Sequence, residues 1–410
     1  MVRVLFAPET FNLGETSRGV EVARRMRADG HEVIVCGYST RFSGHVTDAG
    51  LPLELLEPRL SEADADRLLA VDQGRAVRHP FTVDMLRRRV RSELDLMDEW
   101  RPDVVVIGST MSTFVSARAA GIPLVYVKPY AMSRGHLSSM SDFPVVAGRG
   151  RLATAANAVA GRTIRTVGQR LTYLPGAFRA VAAEHGVCLP PTTLEALDGD
   201  LNLIASLPPA LEPLPLGPRD EVIGPVYSRT AGELPQEVHA LTATGRPVVY
   251  VGMGSSARRD LVLAVLEAVG ALDVEIVSGA GRYLTDADRR RLPRSVVMTD
   301  FIPAHRLAGL VDASVTHGGE GTVQTACVSG APFAGIGLQA EQRWNIRQCE
   351  LAGHALPFTA RQLRRGELPG IVDRLLRDPR LREAARKVRD RAAAIDGPAA
   401  ASRAIAALAG

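Results

Sequence analysis

The segment His317-Gly318-Gly319-Glu320-Gly321-Thr322 follows a short strand-like run, Ala313-Ser314-Val315-Thr316, and precedes a helix-like stretch, Val323 to Ser329. A glycine-rich turn from strand to helix lets backbone N–H groups approach a ligand at the positive end of the helix, which suits a phosphate. His317 and Thr322 add side-chain donors, and Gly319 and Gly321 give the backbone room. Taken by itself, the Gly-Gly pair reads equally well as a tight turn without a ligand. Gly252-Met253-Gly254-Ser255-Ser256 is a second strand-end loop, whose Ser255 and Ser256 hydroxyls suit the same anion. Neither loop has the GxxxxGK[ST] form, and the first strand-turn-helix lacks GxGxxG, which argues against a Walker-type ATPase and a simple NAD enzyme. Glu341-Gln342 places a carboxylate beside an amide, a pairing that can tell one hydroxyl configuration from another.

The elements that would position these groups follow from hydrophobic periodicity. Val2 to Phe6 is an apolar strand, Thr16 to Asp29 has helical spacing, Gly30 stops it, and Glu32 to Gly37 is a second strand. That βαβ order implies a parallel sheet. It continues through a helix carrying Val83, Leu86, Val90, Leu94 and Met97, then strands Val104 to Ile107 and Leu124 to Val127. Ser133 to Gly150 shows no period and reads as a loop, with His136 and Asp142 as candidates to touch a second substrate. The proline-dense stretch from Ser206 to Pro215 disfavours both helix and central strand. Strands at Val248 to Val251, Val274 to Val277, Val296 to Met298 and Ala313 to Thr316 then restart the alternation. We therefore expect an α/β chain of two Rossmann-like, doubly wound domains facing a central cleft: residues 1–205, a linker at 206–225, residues 226–378, and a helical segment at 379–410 that caps the second domain or returns to the first.

Bulk properties bound the alternatives. A chain of 410 residues exceeds one ordinary hydrophobic core, so two domains fit its length. With no apolar run of about 18 residues and only a brief apolar start, stable membrane insertion and a signal peptide are not expected, and the reading is cytoplasmic. The net charge of +4 is small, and the arginine runs at 87–89 and 289–291 are interleaved with acids, so no nucleic-acid partner is expected. Cys36, Cys188, Cys327 and Cys349 show no CxxC and no His-linked metal spacing, and read as reduced and structural.

At this point the residues resemble a known family. His317 to Thr322, Ala326, Gly330-Ala331-Pro332, Gln339 to Gln342, Asn345 and Gly353 look like the donor-binding motif of the glycosyltransferase-1 family, which includes antibiotic and macrolide glycosyltransferases. Val249 to Ser255, Asp300 to Pro303 and the N-terminal βαβ unit are similar to further parts of that family. The resemblance implies the two-domain GT-B fold and transfer of a sugar from a nucleoside-diphosphate sugar of UDP, dTDP or GDP type to a small-molecule acceptor. It implies that His317, Gly319, Gly321, Thr322, Ser255 and Ser256 bind the diphosphate, that Phe301 and Ile302 hold the base, and that Glu341 and Gln342 bind the sugar. Such enzymes usually invert the anomeric centre, and helix ends can offset the leaving charge, so neither a metal nor a further cofactor is expected. The resemblance admits a homodimer.

One departure stands out. Where the family commonly presents a Gly-His pair as the first helix begins, this chain has Gly14-Glu15, with Arg18 where a proline is common. Glu15 is then the candidate catalytic base. Equally, a first-turn acid complements the helix dipole and Glu15 can pair with Arg18. Glu9, His136 and Asp142 are alternative acceptor-side groups, and an easily ionised acceptor would need little base assistance. An alternative of another class is a non-catalytic nucleotide-sugar-binding helper of the same fold.

Overall fold

A computed structural model of the chain describes all residues except 73–75, 77–79, 109, 144, 147–149, 207, 212, 230–231 and 255–257. The chain forms two compact units. The first comprises Met1–Ser206, Leu214–Val226 and Asp396–Gly410, and the second Leu207–Pro213 and Tyr227–Ile395.

The first unit is built on a seven-stranded parallel sheet. Its strands are β1 (Arg3–Ala7), β2 (Glu32–Gly37), β3 (Leu53–Leu55), β4 (Val104–Ile107), β5 (Leu124–Lys128), β6 (Leu201–Ile204) and β7 (Asp220–Val222), in the order β3-β2-β1-β4-β5-β6-β7. Both faces are covered, and β1 shows how: Val4 and Phe6 enter one core while Leu5 and Ala7 enter the other. That period of two on a fully buried strand is why it reads as a continuous apolar run. The order reverses between β1 and β4, so the crevice of this sheet opens where those two strands end.

The second unit has a six-stranded parallel sheet of β8 (Val248–Gly252), β9 (Glu275–Ser278), β10 (Val296–Met298), β11 (Ala313–Thr316), β12 (Phe333–Gly335) and β13 (Ala355–Pro357), ordered β10-β9-β8-β11-β12-β13. Val249, Val251, Ile276, Val315 and Ala334 face one core, and Val248 and Val277 the other. The switch point here lies between β8 and β11, where the Gly252 and His317 loops leave the sheet.

The order of elements agrees with the α/β, doubly wound expectation, but three boundaries differ. The expected linker at 206–225 is largely structured: β7 pairs with β6, Tyr130 donates from its hydroxyl to the Pro215 carbonyl at 3.0 Å, and Gly135 lies so close to that carbonyl that a Cβ would stand 2.1 Å from it. The segment 379–410 is divided. Helix Pro379–Ala393 stays with the second unit, while helix Gly397–Ala409 returns to the first, burying Ala401 and Ile405 beside Val4, Val20 and Val226. The stretch 133–150 contains a helix, Arg134–Ser139, whose first turn is held by the Ser133 hydroxyl accepting from the His136 N–H at 3.0 Å. That single short turn leaves no period in the sequence to detect.

Among the described residues, no helix is long and apolar enough to cross a membrane.

Candidate functional site

In the second unit, the β11 strand ends at Thr316 and the chain turns through His317-Gly318-Gly319 into helix Glu320–Ser329. Gly319 is the N-cap and offers no side chain, so the first-turn N–H groups of Gly321 and Thr322 have no intrahelical acceptor. The Thr322 hydroxyl is already engaged: it donates to the Gly319 carbonyl at 2.8 Å and accepts from the Thr316 hydroxyl at 2.8 Å. It therefore braces the turn, and its backbone N–H is the group left for an anion.

His317 is buried between two glycines. A Cβ on Gly254 would stand 2.3 Å from the ring Cε1, and one on Gly319 would stand 2.5 Å from Nε2. Gly254 also has a φ of +61°, which any other residue would adopt with strain. Desolvation pushes the ring pKa down to about 4, against a smaller upward pull from the Gly252 backbone. His317 is thus neutral near pH 7, a directional hydrogen-bonding group rather than a cation.

Glu341 and Gln342 lie in the first turn of helix Ala340–Leu351, which follows β12. The Gln342 carbonyl oxygen accepts from the Leu338 and Gln339 N–H groups at 2.9 and 3.3 Å, and its amide nitrogen donates to the Gln339 side chain at 3.0 Å. This capping box fixes the turn that carries Glu341. Asn345, one helical turn on, donates to the Glu341 carboxylate at 3.1 Å and to the Gly318 carbonyl at 3.1 Å, tying the start of this helix to the His317–Gly319 turn. On the other flank, Phe301 and Ile302 follow β10. Phe301 is 41% exposed, whereas Ile302 is buried against Gly279 at the end of β9. Ser255 and Ser256 lie outside the described residues.

Because the six strands are parallel, all these loops emerge at one edge. Along it the strand ends run Phe301-Ile302, then Gly254, then His317–Thr322, then Glu341-Gln342. Adjacent strands are about 4.8 Å apart, so the row spans roughly 20 Å.

In the first unit, Glu15 lies in the first turn of helix Leu13–Ala28, capped by Asn12, whose side chain accepts from the Gly14 N–H at 3.0 Å. The Glu15 carboxylate is buried against Gly108, just past β4. Its Oε2 would be 2.6 Å from a Cβ there, so this glycine makes the space the acid occupies. Glu15 thereby lies at the β1/β4 switch point. Arg18 is directed elsewhere through its Nε, which donates to the Val127 carbonyl at 3.2 Å.

Glu9 is buried nearby, and burial raises its pKa to about 7, with the Glu15 charge adding to the rise and Arg89 opposing it. Arg89 is fully buried, 3.3 Å from Glu9 and stacked on the Tyr38 ring at 3.6 Å. Tyr38 donates to Glu93 at 2.7 Å, and Glu93 also accepts from Ser112 and Ser116. This polar chain beneath Glu9 spans the helix Val83–Trp100 and the loop after β4, a pattern no local motif could announce. His136 is buried with its ring edge toward Tyr130, and desolvation lowers its pKa to about 4. Asp142 is exposed.

One cluster went undetected in the sequence. Cys327, Cys349 and His354 place their ligand atoms within 4.8 Å of one another, a grouping that can hold a metal ion. The cysteines are free, as expected from the sequence, and the three clustered residues come from two helices and the turn before β13, so linear spacing carried no signal of their proximity.

Residues 263–408 match the family described as "Erythromycin biosynthesis protein CIII-like, C-terminal domain". Among curated proteins, the chain is 28% identical over 398 residues to a PGL/p-HBAD biosynthesis rhamnosyltransferase of Mycobacterium bovis, covering 95% of this chain and 84% of the relative. It is also 28% identical over 314 residues to 4'-demethylrebeccamycin synthase of Lentzea aerocolonigenes, covering 74% of this chain and 73% of the relative. Among solved structures, the glycosyltransferase VinC in complex with dTDP superposes with a TM-score of 0.73 at 18% identity, covering 99% of each chain.

Proposed function

We propose that this chain, with its GT-B fold and glycosyltransferase relatives, moves a sugar from a thymidine-diphosphate sugar to an apolar small-molecule acceptor, with inversion and without a metal at the reacting centre. The observation that carries this reading is the order of groups along the second sheet's edge: an exposed aromatic, then a glycine-lined helix N-terminus with His317, then Glu341. A nucleoside, a diphosphate and a hexose have the same order and a comparable length. The dTDP bound to VinC supports thymidine as the base.

In this mechanism the acceptor oxygen attacks the anomeric carbon from the face opposite the diphosphate, the carbon–oxygen bond to the diphosphate breaks, and dTDP leaves. The Gly321 and Thr322 N–H groups and the His317 ring receive its charge. Glu15 takes the acceptor proton; its burial at the β1/β4 switch point supports that role over Asp142, which is exposed. Helix Arg151–Arg170 leaves Leu152, Val159 and Val167 exposed, which supports an apolar acceptor.

The deciding experiment is thermal stabilisation of the purified chain by dTDP, UDP and GDP at equal concentration. A ligand at a hundred times its Kd adds about 2.7 kcal/mol, so dTDP should raise Tm by several degrees and more than the other two. If none of the three shifts the transition, the donor-site reading fails.

A further inference from the structure

We propose that Cys327, Cys349 and His354 form a zinc-binding site in the second unit, separate from the transfer chemistry. The Cys327 and Cys349 sulfurs are 4.0 Å apart, and the Cys327 sulfur is 3.6 Å from Nε2 of His354. A tetrahedral zinc with bonds of about 2.3 Å to sulfur and 2.0–2.1 Å to nitrogen requires sulfurs about 3.8 Å apart and sulfur-to-nitrogen edges of about 3.5 Å. The two edges at Cys327 are close to that cage, and the third, from the Cys349 sulfur to the His354 ring, lies within 4.8 Å, so the three ligands can close on an ion by a modest adjustment. A disulfide would require the sulfurs to close to about 2.05 Å.

The surroundings favour a cation as well. Cys349 lies in an apolar cluster of Val323, Ala326, Phe333, Ile346 and Ala355, with Cys327 packed against it. Thiolates there need a positive partner. Two thiolates and a neutral imidazole around Zn²⁺ give a site of zero net charge, with both thiol protons released to solvent. His354 is fully buried and its ring is held edge-on by Phe333 at 5.8 Å, which fixes its orientation. No fourth Cys, His, Asp or Glu joins the group among the described residues, so the fourth position of the tetrahedron would fall to water or another small ligand. Soft sulfur with imidazole selects zinc over magnesium or calcium.

The ion would join two helices near their C-terminal ends. Cys327 is on Glu320–Ser329 and Cys349 on Ala340–Leu351, the helices whose N-terminal ends carry Thr322 and Glu341. Zinc would therefore set the separation of the phosphate and sugar groups; this consequence rests on the donor-site reading, whereas metal binding itself does not.

The test uses the full, reduced, chelator-treated chain titrated with Co²⁺. A thiolate-to-cobalt charge-transfer band with tetrahedral visible bands should develop to one equivalent and be displaced by Zn²⁺. In parallel, Zn²⁺ should protect Cys327 and Cys349, but not exposed Cys188, from alkylation mapped by mass spectrometry. Cys327→Ala and His354→Gln should lose or weaken the cobalt band, while Cys188→Ser keeps it. Absence of the band in the folded wild-type chain, equal alkylation with and without Zn²⁺, or a Cys327–Cys349 disulfide forming in the presence of Zn²⁺ would each overturn the proposal. The alkylation comparison needs no variant, so a poorly folding Cys327→Ala does not blunt the test.

Discussion

Asn345 clamps Glu341: its side-chain nitrogen donates to the Glu341 carboxylate at 3.1 Å while also donating to the Gly318 carbonyl at 3.1 Å. Asn345 is 4% exposed, so both bonds lie in a largely dry setting. We expect Asn345→Ala to cost about 1–3 kcal/mol of stability and to raise the donor KM more than it lowers kcat for the remaining substrate. Urea unfolding with steady-state kinetics reads both. An unchanged donor KM would mean that Glu341 is held well enough by the capping turn alone.

His317 should bind diphosphate as a neutral ring. Its pKa of about 4 lies below the ordinary 6.5, so dTDP affinity should not strengthen as pH falls from 8 to 6, as it would if a histidine were gaining charge. Calorimetric titration across that range checks this. The same shift has a stability consequence. Because the folded pKa is depressed, the unfolded chain takes up the proton first, so stability is complete above pH 6.5 and declines as pH falls toward 4, by up to about 3 kcal/mol for this ring. His317→Gln should flatten that part of the stability profile and weaken dTDP binding.

Glycines in the same loops should respond differently to a methyl group. Gly254→Ala combines a φ of +61° with a contact of 2.3 Å on the His317 ring, and it should cost several-fold in dTDP affinity and about 1–3 kcal/mol in stability. Gly321→Ala meets nothing within 4 Å in a helical first turn and should be neutral or slightly stabilising, by up to about 1 kcal/mol. Equal losses in the two variants would show that the turn as a whole, rather than the His317 ring, sets the demand for glycine.

For the acceptor side, Glu15→Gln should lower kcat by a factor of about 100 or more with dTDP affinity unchanged. Gln is close to isosteric, so the pocket against Gly108 stays filled. Retained turnover with an acceptor of low pKa but not with an alcohol would assign Glu15 to proton removal; retained turnover with both would make it a helix-dipole residue only. Glu9, whose pKa is raised to about 7 by burial, should appear as a separate ionisation in the kcat/KM profile of Glu15→Gln.

Long apolar strands and the glycine loops were legible because their signals are local. Val104–Ile107 is a continuous β-branched apolar run and Ala313–Thr316 a run of small and β-branched residues, each bounded by turn residues, and the structure has strands at those residues. Of the three-residue strands, β10 was legible as an apolar Val-Val-Met run, whereas β3, β7, β12 and β13 are too short to show a period and carry polar, glycine or proline residues; β7 is mostly exposed at a sheet edge, so polar residues are tolerated there. The positions of Glu15 and His317 at or just before helix starts followed from strand-turn-helix order, whereas the helix that carries Glu341 was not read from the sequence. The supports of these residues were not legible either. Asn345 acts across a turn to Gly318, Arg89 reaches Glu9 from a helix eighty positions later in sequence, and the Cys327–Cys349–His354 cluster gathers residues from three elements. Such contacts depend on how elements pack, which periodicity does not encode.

Helix Gly397–Ala409 completes a core begun by β1, since Ala401 and Ile405 pack with Val4 and Phe6. During synthesis the nascent first unit would thus hold an open apolar face until the whole second unit has left the ribosome. The half that is made first is finished last, so a fragment stopping at Ser206 should be a client for chaperones rather than a stable domain.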